Sequence, residues 1–131
     1  MTRIEAIDKI DMIIKRANKY CDAEGLLEIY VFGSLSIGSK EPNDCDILLI
    51  FESDKEIIYT KKEEILRNKF GGRISKVDMI ICSSYDFNNN YSFVFKKETL
   101  IKIWGKKSKI EWKNIIIELG NDEKKRQYCR A

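Results

Sequence analysis

The chain has 131 residues, of which 44% are hydrophobic and 34% are charged, and its 24 basic and 21 acidic side chains give a net charge of +3. This length fits one domain with its own core, because domains commonly run to about 100 to 150 residues. The modest charge argues against a protein held on nucleic acid by charge alone, although a local basic patch is compatible with it. We expect a single domain over residues 1–131.

The sequence contains no histidine, which excludes Ser-His-Asp and Cys-His catalytic arrangements and most zinc sites. Its four cysteines form no CxxC pair, so we expect buried structural thiols rather than a redox or metal site: Cys21, Cys45, Cys82 and Cys129. The N-terminus shows no apolar signal region, and no apolar run approaches about 18 residues. These features favour a cytoplasmic protein without membrane association.

The N-terminal residues predict a helix followed by a strand. Thr2 and Glu5 have the spacing of a capping box, and apolar residues recur at helical spacing after them. We therefore expect an amphipathic helix over about 2–20. Gly25 suits the turn into an apolar strand over 26–32, which has too few polar residues to face water.

The middle of the chain predicts two further strands and a helix. A polar loop, 33–43, leads into an apolar strand over 45–51. Ser53 and Glu56 have the spacing of a second capping box, which begins a helix over about 54–69 that Gly71-Gly72 ends. Residues 73–82 are then predicted to form the third strand.

The pattern weakens after residue 83. Apolar spacing favours a helix over 84–97, and 99–104 is predicted to be a short fourth strand. Ser108 and Glu111 form a third capping-box pattern before an apolar helical stripe that begins at Trp112. We predict an α/β (α+β) domain with one small mixed sheet of about four strands, helices packed on one face, and the loop 33–43 at the rim.

The loop between the first two strands carries the residues most suited to chemistry. Asp44 and Asp46 project to one face if both lie in a strand, and two neighbouring carboxylates require cations such as Mg²⁺. Gly33 allows close backbone approach, and Ser34 offers a hydroxyl and an N–H to a phosphate. The alternative interpretation is ordinary turn chemistry and an ordinary helix cap.

Asp78 is the candidate for a third carboxylate. Val77 and the apolar residues after it flank Asp78, and a bare buried carboxylate costs several kcal/mol unless it is paired or bound to metal. We expect Asp78 to lie beside Asp46, although an outward-facing residue on an edge strand is the open alternative. If Asp78 is a spectator, Glu52 and Asp86 are the next candidates.

This ordered set of strand, Gly33-Ser34, Asp44-x-Asp46 strand, helix and Asp78 strand resembles the DNA polymerase β-type nucleotidyltransferase superfamily, and in size its minimal nucleotidyltransferases. The resemblance covers about residues 26–82. It implies that a nucleoside monophosphate is transferred from a nucleoside triphosphate such as ATP to a hydroxyl, with release of pyrophosphate.

The resemblance also implies roles for individual residues. All three aspartates would be catalytic and would hold two Mg²⁺ ions, for which Mn²⁺ can substitute; Asp78 would bind the ion nearer the attacking hydroxyl and could take its proton. Gly33 and Ser34 would hold the triphosphate, and Lys40 is a further candidate phosphate ligand.

The chain departs from the family pattern in its loop and its length. Ser36 and Ile37 stand where many minimal members carry an Ala-Arg pair. The chain is also too short for the helical acceptor-binding domain of larger relatives. Recognition of the acceptor, which could be a protein, an RNA end or a small molecule, is therefore expected from residues 84–131 or from a partner protein chain.

Three other classes of protein remain open. The fold could serve a catalytically weak or inactive nucleotide-binding or antitoxin-like partner subunit, although three clustered carboxylates have no use in an idle site. A purely structural α/β domain leaves the order of the motifs unexplained. A nucleic-acid-binding module is disfavoured by the modest net charge.

Overall fold

A computed structural model of the chain describes residues 1–39, 41–54, 61–89 and 100–119. Several predicted features lie outside these ranges: Lys40, the Glu56 half of the second capping box, the start of the second predicted helix, the 90–97 part of the third, and Cys129.

The first helix, α1, runs over Arg3–Glu24. Its capping box is confirmed: the Glu5 N–H donates to the Thr2 hydroxyl at 3.1 Å, and the Thr2 N–H donates to the Glu5 carboxylate at 3.4 Å. The helix ends at Gly25, whose left-handed φ of 74° turns the chain while its N–H donates to the Cys21 carbonyl. It ends four residues later than predicted because nothing before Gly25 interrupts it.

Four strands form one sheet in the order β3-β2-β1-β4, with β1 at Leu26–Phe32, β2 at Cys45–Phe51, β3 at Val77–Ser83 and β4 at Ile101–Gly105. Strands β2 and β3 are parallel, and β1 is antiparallel to both β2 and β4. The predicted mixed four-stranded α/β fold is confirmed, and β1 and β2 have the predicted limits.

The predicted start of β3 at residue 73 is wrong. Arg73 and Lys76 have φ values of 65° and 55°, a left-handed conformation that cannot continue a strand. The chain therefore forms a loop over 72–76 before β3 begins. Strand β4 begins two residues later than predicted and ends at Gly105.

The other helices are α2 at Gly33–Ser36, α3 at Lys61–Gly71, α4 at Ser84–Asn89 and α5 at Trp112–Glu118. The prediction of a third capping box is wrong. Glu111 is the N-cap of α5, but its side chain makes no capping hydrogen bond. Ser108 instead belongs to the turn after β4, where its N–H donates to the Gly105 carbonyl at 3.2 Å.

Helices cover both faces of the sheet, which corrects the expectation of one covered face. The main core lies between one face and helices α1, α3 and α5, and includes Ile13, Val31, Leu49, Phe70 and Ile116. On the opposite face, Tyr30 of β1 stacks on Phe87 of α4 with ring centroids 5.5 Å apart. Leu48 and Ile50 of β2 are also buried there, outside the main core.

The described cysteines are free thiols. Cys45 is buried as expected, whereas Cys21 and Cys82 are only half-buried. Burial raises the pKa of both Cys45 and Cys82 to about 11, which keeps them protonated and unreactive at neutral pH. Among the helices of the described residues, none has both the length and the apolar character needed to cross a membrane.

Candidate active site

Asp46 and Asp78 occupy paired positions on neighbouring parallel strands. Each is the second residue of its strand, and the register of β2 and β3 makes them Cα partners. Neighbouring strands lie about 4.8 Å apart, so both carboxyl groups start from adjacent points of the sheet. On its other side Asp46 is paired with Phe32, the last residue of β1. The paired aspartates therefore lie at the end of the sheet where β1 ends and α2 begins.

Gly33 gives the Asp46 side chain its space. A Cβ atom at Gly33 would overlap the Asp46 carboxylate, and Gly33 also has a left-handed φ of 68°. Both observations require a residue without a side chain at this position. The Gly-Ser turn and the second aspartate of the Asp-x-Asp motif are thus in direct contact.

The burial of Asp46 and the charges around it disfavour its ionised form. Partial burial raises the pKa of the Asp46 carboxyl group above its ordinary value, and the negative charges of Asp78 and Asp44 raise it further. Both of the other predicted carboxylates therefore act on Asp46. A cation placed among the three would relieve that repulsion.

Asp44 lies just outside strand β2, in a bend, and is exposed. Strand alternation therefore does not fix the direction of Asp44, contrary to the expectation that both aspartates lie in a strand. Asp78 is also exposed and β3 is an edge strand, as in the open alternative, so the cost of a buried carboxylate does not apply to it. Within the described ranges, no three His, Cys, Asp or Glu side chains are grouped closely enough to form a ready-made metal site. The donors are hard carboxylate oxygens of the kind that Mg²⁺ prefers, but a bound ion would have to bring them closer together.

Helix α2 holds the Gly-Ser turn in a compact form. The Ile37 N–H donates to the Gly33 carbonyl at 3.2 Å, and the Ser36 hydroxyl donates to the same oxygen at 3.0 Å. Ser36 is fully buried, so its hydroxyl stabilises the turn from inside. Among the described residues, the hydroxyl of the half-buried Ser34 has no hydrogen-bond partner, which leaves it available to a ligand.

Arg3 is a contributor that the sequence did not reveal. Its guanidinium donates to the Ile116 carbonyl at 2.9 Å and to the Leu35 carbonyl at 3.4 Å. Arg3 thereby ties the Gly-Ser turn to α5, elements far apart in sequence. No local pattern marks an arginine that bonds to distant carbonyls, so only the folded structure could identify it.

The loop 72–76 is fixed beside the paired aspartates. The Lys9 ammonium donates to the Ser75 carbonyl at 2.7 Å and to the Ser75 hydroxyl at 2.9 Å. The Cys45 N–H donates to the Lys76 carbonyl at 2.9 Å, between Asp44 and Asp46. Helix α1, this loop and the start of β2 are therefore linked at the end of the sheet that carries the aspartates.

The alternative carboxylates lie at the opposite end of strands β2 and β3. Glu52 follows the last residue of β2, and Asp86 follows the last residue of β3 by three positions. A seven-residue strand spans about 20 Å at about 3.3 Å per residue. Neither residue can therefore replace Asp78 beside Asp46.

The fold is similar to that of a solved protein described as a "putative nucleotidyltransferase" from Sulfolobus solfataricus, whose crystal structure was determined at 1.40 Å resolution. The two structures have a TM-score of 0.57 and 20% sequence identity, over 81% of this chain and 92% of the other. At this identity the likeness is one of fold, and the chain has a nucleotidyltransferase fold. No protein-family model matches the sequence, and a search of curated proteins found no match.

Proposed function

We propose that the protein is a metal-dependent nucleotidyltransferase, which transfers a nucleoside monophosphate from a nucleoside triphosphate to an acceptor hydroxyl and releases pyrophosphate. The observation that carries this proposal is the register pairing of Asp46 with Asp78 beside Gly33. The nucleotidyltransferase fold supports it independently.

The chain's own residues supply binding and proton transfer. The Ser34 hydroxyl and the N–H groups at the start of α2 bind the triphosphate, where Gly33 lets the backbone approach closely. Lys40 is a further candidate for a phosphate contact. The Asp78 carboxylate takes the proton of the acceptor hydroxyl as its oxygen bonds to the α-phosphorus. The bond from that phosphorus to the bridging oxygen breaks, and pyrophosphate leaves with the electron pair.

Asp44, Asp46 and Asp78 would hold the divalent cations, with Mg²⁺ the natural ion and Mn²⁺ a substitute. Their mutual repulsion and their oxygen donors fit this role. Bound Mg²⁺ supplies neutralisation of the triphosphate charge and activation of the attacking oxygen. The acceptor is a protein, an RNA end or a small molecule, and a partner protein chain is one candidate for presenting it.

One observation favours a second candidate, an inactive or weakly active partner subunit that binds nucleotide only. Asp44 and Asp78 are exposed, and the described residues contain no ready-made group of metal ligands. A site that holds nucleotide without turnover needs less exact placement of its carboxylates than a catalytic site does.

Calorimetric titration with each of the four common nucleoside triphosphates, with and without Mg²⁺, tests the proposal directly. Binding should require Mg²⁺ and should be lost in Asp46→Asn, while Asp8→Asn on the exposed surface of α1 should bind as the wild type does. Pyrophosphate release separates the enzyme from the binding subunit. Binding that ignores both Mg²⁺ and Asp46 would contradict the proposed site.

A further inference from the structure

A groove between α1 and the C-terminal end of α3 carries only positive charge on its walls. Two adjoining cavities of about 430 Å³ and 360 Å³ share Arg16 and Lys69. Their lining contains five cationic side chains, which are Lys15, Arg16, Lys19, Lys69 and Arg73, and no acidic one. We call this surface the α1–α3 groove. The local excess of charge contrasts with the net charge of +3 for the whole chain.

Some of these cations have structural partners. Arg16 donates to the Gly72 carbonyl at 2.8 Å and so satisfies a carbonyl just beyond the end of α3. Lys69 pairs with Glu24 at 2.9 Å, and Lys15 pairs with Asp11 at 2.8 Å. These contacts account for three of the five cations.

Lys19 and Arg73 have no acidic partner among the described residues. The Lys19 ammonium lies 5.2 Å from the centre of the Tyr20 ring, and Arg73 is exposed. Arg73 also keeps a left-handed φ of 65°, which is uncommon for a residue with a side chain. Such strained positions cluster at functional sites.

The groove and the paired aspartates are joined at the start of β3. The neighbours of Asp46 and Asp78 along β2 and β3 lie in the main core, so the two carboxylates point away from α1 and α3. Arg73 precedes Asp78 by five residues, so their Cα atoms are at most about 18 Å apart along the chain. The loop 72–76 that joins them is fixed by Lys9 and by the Cys45 N–H. A stacked strand advances about 3.4 Å per nucleotide, so a strand of a few nucleotides that passes round β3, the edge strand of the sheet, covers this distance.

We propose that the α1–α3 groove binds the phosphate backbone of a polynucleotide strand whose terminal hydroxyl is the acceptor. The groove lining contains no aliphatic residue, whereas protein partners are usually anchored by apolar contacts. Surfaces that bind nucleic acid are strongly positive, as this one is. The choice of acceptor rests on the proposed transferase function, whereas binding of the strand does not.

Fluorescence anisotropy with a labelled single-stranded RNA of about 12 nucleotides tests this binding. The double variant Lys19→Gln/Arg73→Asn removes the two unpaired cations, and asparagine tolerates the left-handed backbone. Its affinity should fall, and the slope of log affinity against log salt should become shallower by about 1.4, or about 0.7 for each lost phosphate contact on a single strand.

The matched control is Lys107→Gln/Lys109→Gln, which removes the same charge from two exposed lysines in the turn after β4. It should bind RNA as the wild type does. Equal weakening by both double variants would show unspecific attraction and overturn the proposal. If the Lys19→Gln/Arg73→Asn variant lost poly-glutamate binding to the same extent as RNA binding, the proposal would also be overturned, because the groove would then bind an acidic protein equally well.

Nucleotide binding separates this proposal from the proposed function. The Lys19→Gln/Arg73→Asn variant should keep the wild-type affinity for the metal-nucleotide, and in a transfer assay it should raise the KM for RNA without lowering kcat. Normal triphosphate binding without any RNA binding at about 50 mM salt would overturn the groove assignment alone. Normal RNA binding without triphosphate binding would support the groove and contradict the transferase.

Discussion

The Asp46 carboxylate fills the space that a side chain at Gly33 would need. Gly33 begins the 33–43 loop and Asp46 lies in β2 beyond its end, and the two meet because Phe32 and Asp46 are paired across β1 and β2. A glycine here therefore has two separate functions. It adopts the left-handed turn, and it leaves room for the carboxylate of the residue paired with Asp78.

Gly33→Ala should separate these two functions when it is compared with Gly25→Ala. Both glycines have positive φ, so both variants should lose about 1–2 kcal/mol of stability from backbone strain. Gly25 has only ordinary contacts around a new Cβ, the nearest at 3.8 Å, whereas Gly33→Ala must also displace the Asp46 carboxylate.

Chemical denaturation and triphosphate titration measure the difference. Gly33→Ala should be the less stable variant, and it alone should lose metal-dependent triphosphate binding. Equal stability losses together with equal binding would mean that the contact between Gly33 and Asp46 has no consequence.

Asp46→Asn should make the metal-free protein more stable at neutral pH. The pKa of Asp46 is raised in the folded protein, first by burial and then by Asp78 and Asp44, so ionisation of Asp46 opposes folding. Because solvent screens the exposed Asp44 and Asp78, the gain should be about 0.2–1 kcal/mol, the range of a single exposed charge pair.

The pH dependence gives this prediction its sign. When the pKa of a carboxyl group is higher in the folded than in the unfolded protein, stability is unaffected below the ordinary pKa of aspartate. The loss of stability develops as pH rises from that value through the pKa of the folded state. The advantage of Asp46→Asn should therefore be present at pH 7 and disappear in acid. Thermal melts with chelator at both pH values test this, with Asp8→Asn as the control. A loss of stability at pH 7 would indicate a structural role for Asp46.

The first two strands can be predicted because their signals are local. Apolar runs bounded by Gly25 and Gly33, and then by Asp44, set the limits of β1 and β2 before any contact is known. The position of Asp78 beside Asp46 is also expected from the sequence, and the register of β2 and β3 confirms it. The catalytic roles of these residues stay predictions.

The missed features depend on distant contacts. Arg73 and Lys76 have a left-handed backbone although neither is a glycine, so nothing in the sequence marks this turn. The predicted start of β3 is therefore four residues too early. Arg3 bonds to carbonyls of two remote elements. The groove charges come from α1 and from α3 with the loop after it, which are about 50 residues apart in sequence, so neither segment alone shows the patch.

The capping box of α1 provides a test of local stability away from the site. Thr2→Ala removes the hydroxyl that accepts from the Glu5 N–H, and should cost about 0.5–2 kcal/mol. Thr2→Ser keeps that oxygen and should cost less. The order of the two midpoints in denaturant measures this. An alanine variant as stable as the serine variant would show that the cap contributes nothing measurable.

Asp78→Asn should distinguish catalysis from nucleotide binding. Triphosphate affinity should come mainly from Gly33, Ser34 and the carboxylates of Asp44 and Asp46, so this variant should bind metal-nucleotide within a few-fold of the wild type. Transfer should fall below detection, because the proton acceptor is lost together with one of three carboxylates. Loss of a positioned base alone is typically worth about 10²–10⁴-fold.

Asp86→Asn is the matched control for Asp78→Asn, because Asp86 follows β3 at the opposite end of that strand. It should transfer at the wild-type rate. Pyrophosphate release to water or glycerol allows the comparison before the natural acceptor is identified. Full activity in Asp78→Asn would make Asp78 a spectator despite its register with Asp46. Since Glu52 and Asp86 both lie beyond the far ends of their strands, neither could take its place, and transfer would then rest on Asp44 and Asp46 without a third carboxylate from β3.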